Sequence, residues 1–214
     1  MPLSLRADKI PRASIQRLAV YLQRLERMLL EGAELVSSEM LAGDCEINAA
    51  QIRKDLTYFG EFGVRGVGYN VQRLISCIKM ALGIDRPWNC VLLGVGNMGS
   101  ALLNHREFRR GQYSIIAVFD SDPGKIGQSI SGLKVLDCKS LPEYIAGRDV
   151  QLGIIATPPD KAQIMADYLV EVGVRGLLNF ASAHVFAPDG VFVENVDFCN
   201  HLYALSFKIS QQDD

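Results

Sequence analysis

The sequence predicts an α/β protein in two main parts: a small helical domain closed by a glycine hairpin, then an open parallel-sheet domain, with one further helix at the end. Three observations predict it. Apolar residues recur at helical spacing from Ser14 to Phe59. Gly60–Gly68 then packs four glycines into nine residues, with Val or aromatic residues between them. Beyond Gly83–Trp88, a segment of Gly, charge and Pro, short apolar runs alternate with helical stretches. The expected parts are residues 1–84, 85–196 and 197–214.

In order along the chain, residues 1–13 are polar and carry two prolines, a loose lead-in. Ile15, Leu18, Leu22, Leu25 and Leu29 then form the stripe of a first helix that ends at Gly32. Ser37 and Ser38 can cap a short helix, Glu39–Ala42, which Gly43 stops before a turn at Asp44–Ile47. Asn48 can cap a third helix to about Phe59, with Gln51 placed to return a bond to the cap backbone. Residues 60–69 read as a hairpin and 71–82 as an amphipathic helix through Leu74, Ile75 and Ile78. Cys90–Leu93, Ile115–Phe119 and Leu152–Ala156 suit buried parallel strands. Gly99–Leu103 and Ala162–Val172 are the helices between them, and Gly176–Asn179 is a further strand. Asp197–Ser210 is a last helix with Phe198, Leu202, Leu205 and Ile209 on one stripe.

Composition narrows the classes. The 214 residues are 49% hydrophobic and carry a net charge of −2. Residues 1–86 hold 12 Lys and Arg against 10 Asp and Glu, and residues 87–214 hold 10 against 14. A mildly basic first part permits a nucleic-acid module. The five cysteines are scattered, never spaced C-x-x-C, and read as reduced core thiols with no metal site. No signal-peptide core and no bilayer-length apolar run is found, so the expected location is cytoplasmic, with no membrane partner.

The strongest chemical motif is Gly94-Val95-Gly96-Asn97-Met98-Gly99. It follows an apolar strand, opens a helix, and is answered by Asp120 at the end of the next strand. Gly94 allows the tight turn, Gly96 the approach of a pyrophosphate, and Gly99 close helix–strand packing. The helix N-terminus offers N–H groups to the phosphates. Asp120 can accept from a ribose diol and repel a 2′-phosphate, which favours NAD(H). Thr157 and Pro158, at the end of a later strand, border the nicotinamide half. Asn179 ends another strand and can hydrogen-bond a ligand.

The two short helices around the Asp44–Ile47 turn match a helix-turn-helix, with residues 60–69 as its wing. The candidate DNA contacts are Asn48, Gln51, Arg53, Lys54 and Tyr58 on the second helix and Arg65 on the wing. Gln suits adenine, Arg guanine, and Lys phosphate or guanine; a basic wing tip suits a minor groove.

The run Gln51-Ile-Arg-Lys-Asp-Leu-Thr-Tyr-Phe-Gly-Glu-Phe-Gly-Val-Arg-Gly-Val-Gly-Tyr69 resembles the signature of the Rex family of bacterial redox-sensing transcriptional repressors. The similarity extends from Lys9-Ile-Pro11 through the glycine motif, Asn179-Phe-Ala181 and Val196-Asp197-Phe198. The resemblance implies a winged-helix domain, a Rossmann domain and a homodimer in which the C-terminal helix is exchanged. It implies a palindromic DNA operator, NADH and NAD+ as effectors, and Phe198 reaching the partner's nicotinamide pocket. NADH would favour a closed dimer that leaves the operator. The chain departs from the family pattern where Gln23 replaces an Arg and His105 a Tyr. Both belong to a switch network with Asp197, and a His105–carboxylate pair would make it pH-dependent.

The competing reading is a small NAD-dependent oxidoreductase; a third is a coenzyme A-binding module. A dehydrogenase needs a substrate region and a proton-transfer residue near the nicotinamide. Only one helix follows the last expected strand, no Ser/Tyr/Lys arrangement is evident, and nearly 85 N-terminal residues would be idle. The sequence therefore favours a regulator with no catalytic residues.

Overall fold

Helix α1 (Arg12–Leu30) lays Ser14, Leu18, Tyr21, Leu22, Leu25 and Met28 into the interior of the first of two units, which divide between Arg86 and Pro87. The computed structural model describes residues 11–45, 47–58, 63–64 and 68–211. The buried stripe is rotated from the expected one: Ile15 and Leu29 are exposed, while Ser14 and Tyr21 face inward. The cause is a buried acid. Asp55 lies on α3 (Ala49–Thr57) and is fully buried. It accepts from Ser14 Oγ at 3.0 Å, Tyr21 Oη at 2.8 Å, Gln51 Nε2 at 2.9 Å and Arg17 Nε and Nη2 at 2.6 and 2.7 Å. A buried charge is tolerable only when paired and saturated with donors, so α1 turns its polar edge to Asp55.

Between them, α2 (Ser38–Cys45) packs Leu41 inward. Ser37 Oγ accepts from the Met40 N–H at 3.1 Å and caps the helix. Gly43 does not stop it; the helix runs on to Cys45 and shortens the expected turn. Asn48 caps α3 by accepting the Gln51 N–H at 2.8 Å. The return bond from the Gln51 side chain does not form, because that amide is drawn to Asp55. β1 (Leu35–Val36), β2 (Gly63–Val64) and β3 (Gly68–Asn70) make an antiparallel sheet in the order β1-β3-β2. The rest of the hairpin, with Phe59 and Arg65, lies outside the described residues. α4 (Val71–Ala81) completes this unit's core with Val71, Leu74, Ile75 and Ile78.

The second unit is a sheet of β4 (Trp88–Leu93), β5 (Tyr113–Asp120), β6 (Ser129–Ile130), β7 (Leu133–Asp137), β8 (Leu152–Ile155), β9 (Gly176–Asn179) and β10 (Phe192–Asn195). Their order is β10-β9-β8-β4-β5-β7-β6, parallel throughout except for the β6–β7 edge pair. Chain order thus leaves β4 in both directions, the Rossmann arrangement with its switch point at β4. Along β4, Val91 and Leu93 join one core cluster while Cys90 and Leu92 join the other. Both faces are therefore covered, which is why these strands read as unbroken apolar runs. The covering helices are α5 (Asn97–Asn104), α6 (Arg106–Arg110), α7 (Leu141–Ile145) and α8 (Pro159–Glu171). Burial pushes the free Cys90 and Cys138 thiols up to about 12 and about 11, which keeps them protonated core groups.

The terminal helix α9 (Phe198–Ser210) buries none of its residues within the chain. Phe198, Leu202, Leu205, Phe207 and Ile209 are all more than half exposed. Among the described residues no helix is long and apolar enough to cross a membrane.

Asp55→Asn should destabilise the first unit by about 3–5 kcal/mol at neutral pH, since Arg17 loses its buried partner. Burial alone would raise the Asp55 pKa, but its donors, Arg17 first, hold it below the ordinary value of 3.8. Its contribution is therefore full above that value and is lost as pH falls through the lower folded one. Urea denaturation across pH should show the wild-type advantage over Asp55→Asn shrinking below about pH 4. An advantage unchanged down to pH 2 would contradict the assignment.

Candidate functional site

The ends of β4, β5 and β8 lie level, with Leu93 in register with Phe119 and Ile155. Gly94 N–H donates to Phe119 O and Ala156 N–H to Leu93 O, each at 2.8 Å. The chain leaves β4 with Gly94 at φ +94°, in the left-handed region. A Cβ there would stand 2.5 Å from Ala156 O, so the position is closed to side chains twice over. At Gly99 a Cβ would overlap Gly94 O, because the first turn of α5 rests on the strand end. At Gly96 a Cβ would meet nothing within 4 Å. Two of the three glycines thus serve packing, and the third presents bare backbone to open space.

That space is a cavity of about 890 Å³ whose walls include Gly94, Gly96, Asp120, Thr157 and Pro158. Asp120 is buried and accepts from Val95 N–H through Oδ2 and from Asp122 N–H through Oδ1, both at 2.9 Å. Lys125 Nζ stands 3.2 Å from Oδ2. Burial works to raise the carboxyl pKa, but the two N–H groups and Lys125 outweigh it and hold Asp120 ionised. A carboxylate so bound still has acceptor directions left for a ribose diol. Lys125 offsets its charge locally, so repulsion by Asp120 alone does not decide between a diol and a 2′-phosphate. Lys125 was missed in the sequence. Its signal was the turn after Asp120, in which Asp122 Oδ1 accepts from Gly124 N–H at 2.9 Å.

The other expected ligand residues fall into two groups. Val95 is buried and contributes its N–H to Asp120, while Asn97 and Met98 are exposed at the start of α5. Asn179 is fully buried and consumed within the chain: Nδ2 donates to Ala183 O at 2.7 Å and Asn195 Oδ1 at 2.8 Å, and Oδ1 accepts from Ala181 N–H at 3.0 Å. It holds the loop after β9, a structural task that displaces the ligand role expected for it. Phe198 is the first residue of α9, after Asp197, whose Oδ1 caps that helix by accepting Cys199 N–H at 2.8 Å.

The residues present fit a dinucleotide. Open backbone at Gly96 sits at the start of α5, and the buried Thr157 Oγ1, on the cavity wall, has no hydrogen-bond partner among the described residues. A buried hydroxyl without a partner is costly, and a ligand hydroxyl or phosphate oxygen would satisfy it. Asp120 on β5 and Thr157 after β8 flank β4 from opposite sides, so the two halves of a dinucleotide would run across the switch point.

In the first unit, α3 exposes Ala50, Arg53, Lys54, Thr57 and Tyr58, one face of a helix at successive turns. Ala50 and Thr57 were not expected, yet short side chains there suit contact with thymine methyl groups. Gln51 Nε2 donates to Asp55 and Asn48 Oδ1 caps the helix, so these two expected DNA contacts also serve the fold. Arg53 Nη1 donates to Ser38 Oγ and Glu39 Oε1, each at 2.7 Å. Of the expected switch residues, Gln23 is exposed on α1. His105 does not pair with a carboxylate through its cap bond; Nδ1 accepts Glu107 N–H at 3.4 Å, and its ring meets Phe108 edge-on at 6.2 Å.

Comparisons with known proteins agree with this division. Residues 85–183 match a family model described as a CoA binding domain, and residues 9–57 one described as a putative DNA-binding protein N-terminus. The redox-sensing transcriptional repressor Rex of Maridesulfovibrio salexigens is 51% identical over 98% of this chain and 100% of its own length. Rex 1 of Thermotoga maritima is 44% identical over 97% of this chain and 99% of its own. The solved structure of RSP, a Rex-family repressor, with beta-NAD+ and operator DNA is similar at a TM-score of 0.90 and 33% identity, covering 95% of this chain and 94% of that one. The RSP complex with beta-NADH gives 0.85 and 32%, covering 96% of each.

Two glycine variants separate fold from binding. Gly99→Ala should destabilise the second unit by about 1–3 kcal/mol, since backbone must shift. Gly96→Ala should melt like the wild type yet bind NADH at least about tenfold more weakly, through the loss of close N–H contacts to the phosphates. Fluorescence titration with NADH and thermal melts check both. Undiminished NADH binding by Gly96→Ala would remove the pyrophosphate from this turn.

Proposed function

Because the chain belongs to the Rex family of redox-sensing transcriptional repressors, we propose that it binds a palindromic operator as a homodimer and releases it when NADH occupies the cavity at the end of β4. The observation that carries this reading is the pairing, in one chain, of an exposed helix-turn-helix face on α3 with a cavity at the end of β4 whose Thr157 hydroxyl has no partner among the described residues. The chain is a regulator and not an enzyme; NADH and NAD+ are effectors, bound and released unchanged.

Each residue's part follows from its place. Gly94, Val95, Gly96, Asn97, Met98 and Gly99 form the phosphate-binding turn, with Asp120 on the adenosine ribose. Thr157 and Pro158 border the nicotinamide half. Arg53, Lys54, Tyr58 and Arg65 meet DNA. The exposed apolar stripe of α9 packs on the partner protomer, bringing Phe198 to the partner's nicotinamide pocket. Gln23, His105 and Asp197 stand at the positions of the family's switch. The reduced nicotinamide is uncharged, so an apolar, dry pocket beside Phe198 prefers it to the cationic oxidised ring. A ligand shifts a two-state dimer only by its differential affinity for the two forms. Near-complete conversion in both directions requires a swing of about 5.5 kcal/mol. A repressor works where the chromosome is, which places the protein in the cytoplasm.

The test is fluorescence anisotropy of a labelled palindromic operator at fixed salt, titrated separately with NADH, NAD+ and coenzyme A. NADH should release the DNA at concentrations where NAD+ does little, and Phe198→Ala should narrow that difference. Release by coenzyme A instead would assign the cavity to that ligand. NADH oxidation on adding a small carbonyl substrate would reopen the oxidoreductase reading.

A further inference from the structure

Arg53 is held before any DNA arrives. Its Nη1 donates to Ser38 Oγ and to Glu39 Oε1, both at 2.7 Å, and Ser38 Oγ lies 3.2 Å from Glu39 Oε2. Ser38 is buried in the first turn of α2, so the anchor is rigid. Arg53 and Glu39 themselves remain about half and two-thirds exposed, at 51% and 67%. Tyr69 of β3 stands close enough to feel both charges. The triad spends Nη1 on α2 and leaves the Nε–Nη2 edge of the planar guanidinium to meet another group. That edge alone can bond a guanine O6 and N7 together.

From this we infer that Glu39 is a positioning residue that makes Arg53 discriminate between sequences, at the expense of affinity for DNA in general. The inference rests on the repressor reading above. Two effects of the carboxylate act in different places. Fixing the guanidinium removes rotamer freedom in advance, which helps only where a guanine presents matching acceptors. A negative charge beside the DNA backbone opposes phosphates on every sequence alike. Glu39 therefore raises the ratio of operator binding to general binding, while lowering general binding itself.

The experiment uses the full chain, a palindromic duplex selected by the wild-type protein from a randomised pool, and a shuffled duplex of the same composition. Glu39→Ala should tighten binding to the shuffled duplex and lower the selected-to-shuffled affinity ratio by about fivefold. Glu39→Gln keeps the acceptor and loses the charge; it should bind both duplexes more tightly while restoring most of the ratio. In an Arg53→Ala background, Glu39→Ala should change the ratio no further. An unchanged ratio in Glu39→Ala, or an equal loss when Arg53 is absent, would overturn the inference. Failure of the wild-type chain to prefer its selected duplex would overturn the repressor reading, and the role of Glu39 with it.

Discussion

Where α5 crosses the end of β4 there is no room for a side chain, and the geometry of the second unit's site follows from that contact. Gly99 rests on the carbonyl of Gly94, and Gly94 in turn fits against Ala156 only because it too lacks a Cβ. The result is a helix N-terminus seated directly over the central strand of a parallel sheet, at the point where strand order reverses. Asp120 fixes the same turn from the neighbouring strand by taking the Val95 N–H. One residue of the motif, Gly96, is left with nothing above it. A phosphate is the group for which bare N–H donors at a helix start are suited.

The first unit is organised by a buried acid in much the same way. Asp55 gathers Ser14, Arg17 and Tyr21 from α1 and Gln51 from its own helix. The exposed face of α3 is set in orientation by what its buried face binds. In both units an aspartate kept ionised by convergent donors sets a functional surface. Asp55 works from beneath its surface, whereas Asp120 also forms part of the cavity wall. Such a network specifies one arrangement strongly, since each missing donor would leave charge unpaired in the interior.

Much of this was legible in the sequence because it depends on backbone rules. The spacing of Gly94, Gly96 and Gly99 and the acid at Asp120 are requirements of the turn, and the unbroken apolar runs are requirements of a sheet covered on both faces. What was illegible depends on side chains that look polar in sequence and are buried in space. Leu18, Leu22 and Leu25 of the expected α1 stripe are buried, but its edge shifts to Ser14 and Tyr21, leaving Ile15 and Leu29 exposed. Gln51 was assigned to DNA by its chemistry, although a buried carboxylate one turn on claims it. Asn179 reads as a ligand group from its place at a strand end, while both its N–H donors are taken, by Ala183 O in the loop that follows and by Asn195 of β10. The two-residue strands β1 and β6 carry too few residues for any period to register.

A sensor of this kind requires that the ligand in one unit alter the behaviour of the other. Hydrogen exchange read by mass spectrometry, with NADH and with NAD+ at equal saturation, measures that coupling directly. NADH should protect the turn at residues 93–100 and the segment 120–126. It should also change exchange in α9 and in the first unit, where no dinucleotide binds, and NAD+ should do so far less. NADH protection confined to residues 87–196, or the same pattern with either nucleotide, would contradict the account.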